Sequence, residues 1–419
     1  MGDVIKLYFK TALNYLWAFA RWLMLGLAVG VVSGVIGAYF SKAITFVTEL
    51  RGQNPWLILL LPAAGLLSVG LYKLCRVSGI GTNDVFKSVR NESKVPYLLA
   101  PAIFIGTCLT HMFGGSAGRE GAALQLGGSV SSLLGGILHL NDKTKHILTM
   151  CGMGAFFSAL FGTPLGACIF ALEVVSVGHI CSAAFFPAII SSISAYIVSI
   201  ILGAHPERFA LTVNADLGFE VLWKVLVVAI AGAIVSFIFC RIMHFSEHIF
   251  KTFFKNEFLR IAVGGVLIVG LTYLIGNQNY NGGGIEIIEG VFEGNKVGFE
   301  VFLLKILFTA ITIGVGFKGG EIVPTLFVGA TMGAFVGGLV GLNVGLSAAV
   351  GIASLFCGVT NCPIATIVLC IELFDGEGLI LCALACVTSF LLSGNASLYT
   401  GQRLIYSKLD DEEINVDAG

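Results

Sequence analysis

Two glutamates set among glycines are the residues of this chain best placed to do chemistry. Glu120 lies in Gly114–Gly128, which reads GGSAGREGAALQLGG, and Glu321 lies in the stretch GGEIVPTLFVGA. Gly118 and Gly121 allow a tight turn, and the run from Ala122 onward is predicted to be helical. Glu120 then stands at or just before a helix N-terminus, where free N–H groups and the helix dipole favour an anion. A carboxylate at such a place fills an anion site when ionised and vacates it when protonated, which is the logic of a proton-operated gate. Glu321, with glycines before it and Pro324 after, is predicted at a mirrored helix start. In a water-soluble protein both would read as ordinary helix caps worth about 0.3–1 kcal/mol each, so composition has to decide.

The chain has 419 residues, 56% of them hydrophobic and 12% charged, with a mean hydropathy of +0.92. Globular domains carry about a quarter charged residues. With long apolar runs recurring from end to end, this is the composition of a polytopic α-helical membrane protein. An ionised group at membrane depth costs several kcal/mol and is usually retained for function, which favours the gating reading of Glu120 and a proton-handling role for Glu321. The formal net charge of −1 gives no reason to expect a nucleic-acid partner. The eleven cysteines form no CxxC pair and lie mostly in apolar runs, so they read as small buried hydrophobes, with no metal or cofactor expected. An intramembrane enzyme would need a nucleophile–base set or an HExxH pair, and the sequence offers neither. Met1–Lys10 does not read as a removable signal peptide.

These residues need elements to position them. Residues 1–16 read as a cytoplasmic N-terminal segment, 17–204 as a first membrane repeat, 219–394 as a second, and 395–419 as a pore-lining segment followed by an acidic tail. Basic residues gather before the first apolar run (Lys6, Lys10) and after the second (Lys73, Arg76, Lys87, Arg90, Lys94), which places the N-terminus and the 73–94 loop in the cytoplasm. The runs at 56–75, 146–161 and 165–177 are each predicted to be one helix, the last two short for a bilayer. Short Gly/Pro-interrupted helices mark a broken-helix transporter. The repeat is visible in the sequence itself: Pro164 and Pro363 are each followed nine residues later by a glutamate, Glu173 and Glu372. Pro164 to Pro363 spans 199 residues and Glu120 to Glu321 spans 201, which argues for two halves descended from one unit. Related halves with broken helices put a substrate site at their interface, near the bilayer midplane. Glu173 and Glu372, at the far ends of short helices, are expected to serve as structural hydrogen-bonding groups.

Gly118-Arg119-Glu120-Gly121, Gly319-Gly320-Glu321-Ile322-Val323-Pro324, the paired Pro-to-Glu segments and Tyr399 together resemble the CLC family of anion channels and proton-coupled anion antiporters. The resemblance implies an all-α fold of two inverted-topology repeats with broken helices, assembled as a homodimer with one pore per subunit. It also implies an anion held by backbone N–H groups at helix ends, with Glu120 as the external gate and proton carrier. The implied anion-binding positions are Ile80, Gly81, Asn83, Gly121, Ala122, Ile322, Val323 and Tyr399.

Three departures from the family pattern point to one branch. The usual Gly-Ser-Gly-Ile-Pro motif here reads Gly79-Ile80-Gly81-Thr82-Asn83, so Ile80 replaces an anion-contacting serine. Glu321 stands where an apolar residue is usual. Val174 stands where chloride/proton antiporters carry an inner relay glutamate. Together they resemble the fluoride-transporting branch, which implies proton-coupled export of fluoride across the cell (inner) membrane, with fluoride, protons and the lipid bilayer as partners. The alternative is a chloride/proton antiporter or passive channel, which would be expected to keep a serine at position 80. Fluoride is strongly hydrated, and helix N-termini can replace its water with N–H donors. Of the remaining polar residues, Thr82 and Asn83 offer groups near the first turn, His111 reads as a core histidine, and Arg119 as a brace for loop carbonyls.

Overall fold

The computed structural model describes residues 2–90, 92–211, 217–410 and 412–418. Apolar runs of membrane length dictate helix, because only an α-helix satisfies all its backbone polar groups within one segment in hydrocarbon. In chain order the helices are α1 (Gly2–Gln53), α2 (Leu61–Leu74), α3 (Thr82–Val89), α4 (Leu99–Met112), α5 (Glu120–Ile137), α6 (Asp142–Phe161), α7 (Pro164–Glu173), α8 (Ser182–Ile201), α9 (Phe219–Phe253), α10 (Glu257–Ile275), α11 (Ile285–Phe292), α12 (Phe299–Gly314), α13 (Ile322–Leu339), α14 (Val344–Thr360), α15 (Pro363–Leu373) and α16 (Leu379–Leu392). Among the described residues, six stretches are long and apolar enough to cross a membrane. The ten residues of α7 reach only about 15 Å, half the roughly 30 Å hydrocarbon core. These are the broken helices of a two-repeat membrane fold.

The repeats are related in their packing as well as in their sequence. α5 and α6 meet through Gly127 and Gly152, where a Cβ on Gly127 would stand 2.3 Å from the Gly152 carbonyl oxygen. α13 and α14 meet through Gly329 and Gly351, where a Cβ on Gly351 would stand 2.1 Å from the Gly329 oxygen. Small residues let helix backbones approach this closely without a side chain between them. α5, α6, α13 and α14 are buried over most of their length and form the centre of the bundle.

Two expectations are corrected. The single helix predicted over 56–75 is a 3₁₀ turn (Pro55–Leu60) followed by α2, because Pro62 has no N–H to continue one hydrogen-bond ladder into the next. The helix predicted to run to 177 stops at Glu173, since Val174, Val175 and Val177 are β-branched and Gly178 turns the chain at φ +85°. Ser176–Val177 instead forms β1, parallel to β2 (Arg403–Tyr406), which pairs antiparallel with β3 (Glu413–Asp417). The acidic tail thus folds back onto a small sheet with Val177, Leu404 and Ala418 at its core.

Candidate functional site

α5 and α13 begin against each other. The Gly118 N–H donates to the Gly320 carbonyl at 2.7 Å, and the Gly320 N–H returns a bond to Gly118 at 2.8 Å. A Cβ on Gly320 would lie 2.3 Å from the backbone nitrogen of Gly121, so the approach is possible only for glycine. Two helix N-termini, from the two repeats, are thereby brought together in the interior, and their unpaired N–H groups make a place for an anion that needs no fixed cation.

Glu120 is the first residue of α5 and its side chain is fully buried. Oε2 accepts from the Arg119 backbone N–H at 3.0 Å, while Oε1 has no hydrogen-bond partner among the described residues. Glu321 is the residue immediately before α13; its carbonyl accepts from the backbone N–H of Thr325 at 2.9 Å and from the Thr325 hydroxyl at 2.8 Å. A Cβ on Gly121 would stand 3.6 Å from Glu321 Oε2, so this second carboxyl group lies against the start of α5.

A vestibule of about 300 Å³ opens onto this junction. Ile80, Gly81 and Asn83 at the start of α3, together with Gln125, Glu321 and Tyr399, line it. Gly79 makes the entering turn at φ +80°. Tyr399 is buried, its ring edge-on to Phe86, and its hydroxyl has no partner among the described residues. Glu120, Gly121, Ala122, Ile322 and Val323 do not line the vestibule and lie buried behind it. The expected anion-binding set therefore divides into a wall and a deeper junction, with Glu321 belonging to both.

Other polar residues serve the frame. The Asn83 amide donates to the Thr400 hydroxyl at 3.0 Å and accepts from the Gly401 N–H at 2.9 Å, so its side chain ties α3 to the segment carrying Tyr399. The Thr82 hydroxyl accepts from Gln125 at 3.1 Å. Glu173 accepts from the N–H groups of Ile364 and Ala365 at the start of α15, and Glu372 from those of Leu165 and Gly166 at the start of α7. Each glutamate of a Pro-to-Glu segment thus caps the other repeat's short helix. His111 is buried; its carbonyl accepts from Arg51 at 2.7 Å. Val174 gives its carbonyl to Gln402 at 2.9 Å.

Sequence reasoning missed several residues. Arg119 braces the Leu160 carbonyl at 3.2 Å, as expected of it, but its strongest contact is with Glu207 Oε1 at 2.5 Å. Arg90 grips Glu92 through two nitrogens, at 3.1 and 3.0 Å, and also donates to the Gly401 carbonyl at 2.7 Å. The Arg90 hydrogen bonds hold the Glu92 carboxyl below the ordinary carboxylate value. Neither glutamate lies in a recognisable motif; each follows a proline or asparagine in a polar gap, and nothing in the spacing signals its partner. Among the described residues no cluster of three His, Cys, Asp or Glu is placed to hold a metal.

Residues 64–394 match the family described as voltage gated chloride channel. The chain belongs to this family, the CLC proteins. A chloride/fluoride channel protein of Pseudomonas syringae pv. tomato is 33% identical over 97% of this chain and 92% of its own length. An H(+)/Cl(−) exchange transporter ClcA of Vibrio campbellii is 27% identical over 92% of this chain and 88% of its own. Among solved structures, the crystal structure of a CLC-type fluoride/proton antiporter superposes with a TM-score of 0.89 at 34% identity, covering 92% of this chain and 98% of that one. A slow cyanobacterial Cl−/H+ antiporter shares the CLC fold, with a TM-score of 0.77 at 21% identity over 89% of this chain and 94% of that one. Two repeats with broken helices, met at glycine-rich helix starts, are thus the architecture of a CLC protein.

Proposed function

We propose that this protein exports fluoride in exchange for protons, acting as a homodimer in the cell's inner membrane with its N-terminus in the cytoplasm. The observation that carries the reading is the pair of carboxyl groups at the two facing helix starts, Glu120 buried and Glu321 open to the vestibule. It is supported by relatives described as a chloride/fluoride channel protein and a fluoride/proton antiporter, each about a third identical.

In this mechanism ionised Glu120 occupies the anion place at the start of α5. Protonation removes its charge, the side chain leaves, and fluoride enters among N–H groups of Gly121, Ala122, Ile322 and Val323. Tyr399 donates its hydroxyl to the anion from the vestibule side, and Ile80 and Gly81 form the opposite wall. Glu321 passes the proton to the vestibule, taking the place of the inner relay that Val174 lacks. Asn83 holds the wall in register and does not serve as a free donor, since both ends of its amide are engaged.

Reconstituted protein tests this directly. Fluoride efflux from liposomes should run well ahead of chloride efflux, and a fluoride gradient should drive protons uphill. Chloride flux equal to or faster than fluoride flux, with protons still coupled, would move the assignment to chloride/proton exchange, the activity named for the Vibrio relative.

A further inference from the structure

Arg119 is one guanidinium between two carboxylates, and it favours the one that is not the gate. Its Nη2 donates to Glu207 Oε1 at 2.5 Å and to the Leu160 carbonyl at 3.2 Å, and its Nη1 donates to the Ser41 hydroxyl at 3.1 Å. Only Nε faces Glu120, at 3.5 Å from Oε1, and that oxygen makes no hydrogen bond among the described residues. Glu207 keeps 17% of its side chain exposed, against none for Glu120, so the ion pair lies on the outer flank of the gate.

The position of Glu207 is built into the fold. Its N–H donates to the Phe161 carbonyl at the end of α6, at 3.1 Å, and two residues on Phe209 donates to the Leu373 carbonyl at 3.0 Å. Just before them, Pro206 packs on Gly162, which turns at φ +76° and could carry no Cβ, since one would stand 2.2 Å from the ring of Pro206.

We infer that Glu207 is a positioning residue for the gate: by taking the charge of Arg119, it leaves Glu120 free to pick up and release its proton. The inference rests on the reading of Glu120 as the gate. A carboxylate that must alternate between charged and neutral cannot be fully committed to an arginine, because an opposite charge at 4–6 Å strongly favours the ionised form. With Glu207 ionised, Arg119 and Glu207 cancel, and the trio changes from neutral to −1 as Glu120 loses its proton. Without that cancellation Arg119 has one carboxylate left within reach. The other titratable groups that face the trio are His111 on α4 beside Arg119, Glu289 on α11 beside Glu207, Tyr399 on the vestibule side of Glu120, and Glu321 against the start of α5. All of them stay in place when Glu207 is changed.

The test is the dependence of fluoride efflux on external pH, measured with full-length protein in liposomes. Glu207→Gln keeps an oxygen for Arg119 but removes the charge, and the pH of half-maximal flux should fall by about one unit or more. Glu207→Asp, which keeps the charge, should restore most of the parental profile. Glu207→Ala gives the same acid shift by a second route should the amide variant assemble poorly. Glu120→Gln should flatten the pH profile, and Glu207→Gln should add nothing on that background. A folded Glu207→Gln dimer with the parental midpoint overturns the inference while leaving the gate intact. So does an equal acid shift that persists in the Glu120→Gln background. A Glu120→Gln protein that keeps the parental pH profile and proton coupling overturns the gate reading itself, and this inference with it.

Discussion

Tyr399→Phe should raise stability and lower fluoride affinity at once, and the opposite signs make it a sharp test of the site. The Tyr399 side chain is 3% exposed, and its hydroxyl has no hydrogen-bond partner among the described residues. A buried hydroxyl left unpaired costs about 1–3 kcal/mol. Phenylalanine keeps the ring and its edge-on contact with Phe86, whose centroid lies 5.1 Å away, and loses only the oxygen. The fluoride-free variant should therefore gain about 1 kcal/mol, taking the low end of that range. With fluoride present the hydroxyl donates a charge-assisted bond worth about 1.5–3 kcal/mol, so affinity should fall roughly 10- to 150-fold. Thermal unfolding in detergent, with and without fluoride, reads both effects, because a bound ligand raises stability as RT ln(1 + [L]/Kd). The parent should gain more from a given fluoride concentration than the variant, while the variant starts higher. A variant less stable than the parent and equally responsive to fluoride would refute the reasoning, since the hydroxyl would then be bonded within the fold and away from the anion.

Glu321→Gln should abolish fluoride-driven uphill proton movement in a pH-reporting liposome assay; a residue that only caps α13 would cost about 1 kcal/mol and leave coupling intact. Gly320→Ala places a Cβ 2.3 Å from the backbone of Gly121, so it should destabilise by about 1–3 kcal/mol and suppress transport by parting the two helix starts. Parental melting and flux in that variant would show that the junction has slack. Glu92 tests the latch on the Tyr399 segment: its carboxyl sits below the ordinary value near 4.5, so its contribution is present above that value and is lost as pH falls below it. Glu92→Gln should therefore flatten the acid side of the melting-versus-pH curve, and an unchanged acid limb would remove Glu92 from the latch.

The membrane-spanning character, the two repeats and the placement of Glu120 and Glu321 at two helix starts were legible because each rests on local pattern. Apolar run length marks a span, and Pro-to-Glu spacing repeated some 200 residues apart marks a duplication. The structural role expected of Glu173 and Glu372 was legible for the same reason, although the crossing of their caps between repeats was not. What stayed hidden depends on distant pairing. Arg119 and Glu207 are 88 residues apart and Asn83 and Gly401 are 318 apart, and no periodicity reports such contacts. The small sheet was hidden because its strands are of two, four and five residues, drawn from either end of a 228-residue separation between Val174 and Gln402.

The crossed caps of Glu173 and Glu372 say something about how such a chain could arise. One Pro-to-Glu segment holds both halves of the contact: a helix start with bare N–H groups and, nine residues after its proline, the carboxylate that satisfies those of the other copy. Two copies laid antiparallel are self-complementary, as in any isologous pair. An unduplicated ancestor could therefore have closed the contact with a second copy of itself lying upside down in the bilayer, and joining the two genes would have changed no hydrogen bond. Once fused, each half depends on the other, because alone it would leave a carboxylate and two N–H groups without their partners. The first repeat to leave the ribosome must wait for its counterpart before the start of α7 is capped.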